Sequence, residues 1–121
     1  MAATQTTLVN GVFITPANTP VLVYGSPTNS PPVNGKGTII GAFTAANGSA
    51  ASITYKVWVV PSGSSVGDEF LLVPARIIKT DKTDSPYEVV GHFMPPLSSL
   101  YIESDTANAA GFRVSGVELT I

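Results

Sequence analysis

The chain has no cysteine among its 121 residues. That excludes a disulfide, a thiolate nucleophile and a cysteine-based zinc site. It has one histidine, His92, so a Ser-His-Asp arrangement could be built only there. Within Val-Val-Gly-His-Phe-Met that imidazole reads instead as a strand or rim residue. Charge is also scarce: Asp, Glu, Lys and Arg make up 12% of the chain, where a soluble domain has about 25%. Six basic residues against eight acidic ones, a net charge of −2, form no basic field for nucleic acid. No run approaches the ~20 apolar residues of a membrane-spanning helix. The opening Met-Ala-Ala-Thr-Gln-Thr-Thr lacks the basic and apolar regions of a signal peptide. The expectation is a chain folded in a cytosol, with neither membrane nor nucleic acid as partner.

Neutral polarity takes the place of charge. Hydrophobic residues are 44% of the chain, and much of the rest is Ser, Thr, Asn, Gly and Pro. Hydroxyls and amides cost far less to desolvate than ions, and interface cores are depleted in charge. The composition therefore points to a surface that ends against other subunits. The length suits one domain, here residues 1–121.

Residues 47–63 organise the chain. They open on Asn47-Gly48, alternate Ile53, Tyr55, Val57 and Val59 with Thr54, Lys56, Trp58 and Val60, and stop at Pro61-Ser62-Gly63. This is the period-two pattern of a strand with one face on a core, closed by residues that end a ladder and permit reversal. Before it, residues 1–10 read as a possible arm, with Asn10-Gly11 as either a bulge or a very short hairpin. Residues 21–24 read as a strand, residues 25–37 as a long Pro- and Gly-rich loop of the binding kind, and residues 37–45 as a strand. After it come strands over 69–79 (bent at Pro74), 87–94, 97–103 and 112–121. Phe112 and Val114 share one face of the last strand, and Val117, Leu119 and Ile121 the other. An extra residue at Ser115-Gly116 would bring both sets to the core. About eight strands with frequent turn signals and no helix of ordinary length predict an all-β, two-sheet antiparallel sandwich of jelly-roll-like type.

The constellations that could carry chemistry are thin. Asp81 and Asp84, or Glu103 and Asp105, offer oxygens to a cation, but Lys79 and Lys82 are expected to neutralise the first pair at a hairpin tip. Asp68-Glu69 has no partner acid. Gly35-Lys36-Gly37 lacks the spacing and following helix of a phosphate loop. Asn47-Gly48-Ser49 matches a glycosylation sequon but reads better as a hairpin turn. No catalytic residue, cofactor or metal is expected. Trp58 has three readings: a second layer of core under a loop, a subunit contact, or a stacking platform for a sugar.

The stretch Ser-Ala-Ala-Ser-Ile-Thr-Tyr after Asn47-Gly48, its ending Val-Pro-Ser-Gly, the closing Ser-Gly-Val-Glu-Leu-Thr-Ile at 115–121 and the Pro16-Ala17-Asn18-Thr19 turn resemble small tailed-phage virion β-sandwich proteins. The Pro-Pro-Leu-Ser-Ser-Leu-Tyr at 95–101 departs from that pattern. The resemblance implies a virion part assembled in the host cytoplasm: a capsid decoration or cement protein bound to the major capsid protein and to copies of itself, expected as a homotrimer. The alternative is a tail-fibre or baseplate module that binds a host surface glycan. The partner-contact candidates are Leu8, Val9, Tyr24, Pro27, Pro31, Pro32, Val33, Trp58 and Tyr101.

Overall fold

β-Branched and aromatic residues in alternation call for a pleated, half-buried backbone, and nine segments adopt one. A computed structural model describes residues 2–121. The strands are β1 (Ala2–Phe13), β2 (Val21–Gly25), β3 (Gly35–Asn47), β4 (Ile53–Val60), β5 (Leu71–Ile78), β6 (Lys82–Asp84), β7 (Phe93–Met94), β8 (Ser99–Ser104) and β9 (Ala110–Thr120). The only helical piece among the described residues is a 3-10 turn, Asp68–Phe70.

Sheet A has the order β1-β9-β3-β6, with β7 also on β3, and sheet B the order β2-β8-β4-β5. All pairings are antiparallel: β1 with β9, β2 with β8, β3 with β6 and β7, β4 with β5, besides the β3–β9 and β4–β8 ladders. One long hairpin, folded at the β4–β5 connection and rolled up, gives this order. It is the jelly roll that the strand count predicts. Nine strands stand where eight were expected because the position beside β3 is split into β6 and β7.

The core lies between the sheets. Phe43 and Phe112 from sheet A meet Tyr55 from sheet B, with ring centroids 5.5 to 6.2 Å apart. Ile53, Tyr55 and Val57 of β4 are all buried, so the organising strand supplies sheet B's share of the centre.

Several expectations give way. Residues 2–7 are no arm: Ala2↔Thr120 through Thr7↔Ser115 pair without a break. Of the two readings of Asn10-Gly11 the bulge holds, with Gly11 at φ +74° as the extra residue. Asn47-Gly48 is a corner between sheets rather than a hairpin turn. There the buried Asn47 amide donates to the carbonyls of Ala51 and Ile78, both at 2.9 Å, and its Oδ1 accepts from the Ser49 N–H and hydroxyl. These bonds hold the change of direction and leave the side chain satisfied. Lys82–Asp84 likewise follows a corner from sheet B to sheet A, not a hairpin tip.

Residues 87–92 are turns rather than strand, because Pro86 and Gly91 (φ +85°) interrupt extension. Only Phe93–Met94 pairs with β3, although Val89 still reaches the core. In β9 the extra residue is not at Ser115-Gly116. It is Leu8 in β1 and Gly41 in β3, both beside Ser115. Hence β9 keeps its alternation, Phe112, Val114, Gly116 and Glu118 face inward, and Val117 and Leu119 face out. Gly116 has no room for a β-carbon, which would collide with the Ile39 carbonyl oxygen.

Candidate interaction surface

Two clusters of polar side chains hold the sheets together. Asp84 on β6 takes a two-pronged ion pair from Arg76 on β5, both bonds at 2.8 Å, and accepts from the Tyr55 hydroxyl at 2.6 Å. Arg76, not Lys79 or Lys82, therefore balances this carboxylate and holds it below the usual range, aided by Tyr55 and opposed by burial. Burial, then the Asp84 carboxylate, pushes the Tyr55 phenol up. Glu88 stands 3.7 Å from the same guanidinium. A second knot joins the sheets at the other end. The Tyr24 hydroxyl bonds to Glu118 and to Thr38, and Thr38 to Ser26. Burial, then Glu118, pushes the Tyr24 phenol up as well.

His92 is half-buried in the β6–β7 connection. Its N–H donates to the Val89 carbonyl, and its own carbonyl accepts from Ile40. Among the described residues no three His, Cys, Asp or Glu side chains are grouped so as to hold a metal ion. Gly35-Lys36-Gly37 opens β3, with the Phe93 ring lying over Gly37 where a β-carbon would go.

The contact candidates divide. Val9 and Trp58 are buried, 3% and 5% exposed, and so are not offered to a partner by this fold. Trp58 lies on the outward side of sheet B, opposite Tyr101. It pairs with Leu71 at the start of β5 and is buried apart from the core between the sheets, which fits the second-layer reading. Leu8, Tyr24, Pro27 and Tyr101 are half-buried, and the Tyr24 hydroxyl points inward. Pro31, Pro32 and Val33 are exposed on the 26–34 loop.

The surface missed in the sequence is the outer face of sheet A. Register places Gln5, Val117, Ile39 and Phe93 in one row, Ala3, Leu119 and Gly37 in the next, and Thr7, Ser115 and Ala42 on the other side. No residue in these three rows carries a charge. Ile39 and Phe93 are 37% and 47% exposed, Val117 and Leu119 half-buried. A groove of about 750 Å³ runs along Gln5, Thr7, Gly41, Ser115 and Val117, where the two bulges open the pleat. The signal was the phase change in β9: an apolar pair opposite the Phe112 face marks an apolar outside as readily as a bulge. The Ile121 N–H donates to the Asn34 carbonyl, so the 26–34 loop stands at the Leu119 end and continues this surface. No protein-family model matches the chain, and no curated protein matches it.

Proposed function

We propose that this chain is a non-enzymatic structural protein of a phage virion, a decoration or cement protein that stabilises the head shell by binding the major capsid protein and copies of itself. The observation that carries the reading is the block of three uncharged rows on the outer face of sheet A, lying between Arg113 and the Pro31, Pro32 and Val33 loop. Neutral groups lose little on desolvation, and Ile39 and Phe93 gain by burial. One such contact is weak. Repeated by the symmetry of a shell, weak contacts add through effective concentration and resist expansion or rupture. The burial of Trp58 weighs against a glycan-binding module, because it removes the aromatic best placed to stack on a sugar.

The test is to count copies per virion by mass spectrometry and to sediment the protein with DNA-filled heads lacking tails. Co-sedimentation and copy numbers in the hundreds match a shell lattice, and heads stripped of the protein should rupture at lower temperature. About a dozen copies, the multiplicity of a tail or baseplate, would overturn the reading.

A further inference from the structure

A β-sheet edge presents unpaired N–H and C=O groups, and folded proteins blunt such edges with short strands, proline, charge or bulges. Three of the four sheet edges here are blunted. β2 has five residues with a register shift at Val23, and lies between Pro20 and Pro27. β5 carries Pro74, Arg76 and two register shifts. The β6/β7 edge is two fragments of three and two residues, interrupted by Pro86 and followed by Pro95. The fourth edge, β1, is different. Its twelve residues contain neither proline nor charge, and its irregularities fall at Leu8 and Gly11. Residues 2–7, Ala-Ala-Thr-Gln-Thr-Thr, form a regular run, exposed except for the half-buried Thr6, with one side on β9 and the other side open.

We infer that this edge pairs with the same edge of a second copy, antiparallel about a two-fold axis, so that the two A sheets become one. An antiparallel strand is its own complement in backbone donors and acceptors. A two-fold axis sets each charge near its own image, so only an uncharged edge pairs with itself without repulsion, and residues 2–7 are uncharged. Threonine on both strands favours the pairing. The contact is isologous and closes at two copies. It does not make the three-fold ring expected from the sequence, and the smallest closed assembly that holds both contacts is a hexamer. The inference stands on the strand edge alone and is independent of any place in a virion.

The test uses the full chain. Native mass spectrometry and sedimentation give the oligomeric state from about 1 µM to 1 mM, the range in which contacts of this small area form. Hydrogen exchange follows residues 2–7 over the same range. The expected result is an even-numbered oligomer whose formation protects the outward amides of residues 2–7. The double variant Gln5→Lys, Thr7→Lys places like charges on the outward row of the edge, where a pairing centred on residues 5 to 7 sets a lysine about 5 Å from a lysine of the second copy. It should keep the far-ultraviolet spectrum and melting behaviour and weaken association by at least about tenfold. Ile77→Lys, on the exposed part of β5, should leave association unchanged. A monomer or bare trimer throughout, an oligomer that survives the double variant, or outward amides that exchange freely in the oligomer would each overturn the inference.

Discussion

Asp84 shows how neighbours assign a residue its role. In sequence it is one of several acids in a charged turn. In the fold it ties Arg76 and Tyr55, on two strands of sheet B, to sheet A. Its folded pKa is lowered, so the stabilisation it gives is present at neutral pH and is lost as pH falls below about 4. The phenols of Tyr24 and Tyr55 are raised above 10.0, so their stabilisation is present below pH 10 and is lost above it. Urea unfolding should show a plateau from about pH 5 to 9 with losses on both sides. Asp84→Asn should remove part of the acid limb and Tyr55→Phe part of the alkaline limb. At pH 7, Asp84→Ala should cost about 2 kcal/mol, the lower end of the range because Arg76 stays partly hydrated.

Trp58 makes the complementary case. It is buried with its indole Nε1 unbonded, so its contribution is volume. Trp58→Ala should destabilise the monomer by about 3–5 kcal/mol, and Trp58→Phe by much less, since no hydrogen bond is lost. Denaturant unfolding measures both. A folded Trp58→Ala chain of unchanged stability would remove this residue from the core.

Among the elements, the strands were legible and their partners were not. β4 could be read from Ile53, Tyr55 and Val57, and the kink at Pro74 is present as the register shift opposite Lys56. The connections misled because an Asn-Gly pair followed by a strand is the same local signal for a hairpin and for a corner. What separates them is the buried Asn47 side chain and its bond to the Ile78 carbonyl, 31 residues away. Asn47→Ala should therefore cost about 2–3 kcal/mol by stranding buried carbonyls, whereas an exposed hairpin residue would cost a few tenths. Thermal unfolding distinguishes the two. The 87–92 segment misled in the opposite direction: Val89 and Val90 carry strand propensity, but Pro86 and Gly91 break the ladder.

For the whole molecule, the consequence is an uneven distribution of neutral surface. Sheet B buries Trp58 and exposes Leu22 and Ile77 on its two edge strands, while sheet A gathers Ile39, Val117, Leu119 and Phe93 on its outside. Ile39→Lys should lower stability by no more than about 1 kcal/mol, the span of strand propensities, because Ile39 is already partly exposed. If this face binds the shell, the same substitution should abolish co-sedimentation with heads. A stable Ile39→Lys protein that still binds would move the contact off sheet A.

Composition and the period-two pattern determined that this chain is a charge-poor β-sandwich, because alternation and turn residues act over a few neighbours at a time. Only the tertiary structure decided which face of β9 looks outward, that Asp84 belongs to Arg76, that Trp58 is buried, and that residues 2–7 form an open edge. Each of those depends on which distant strand lies alongside. One residue of register, set by bulges at Leu8 and Gly41 in the neighbours of β9, reverses the side on which every later residue falls.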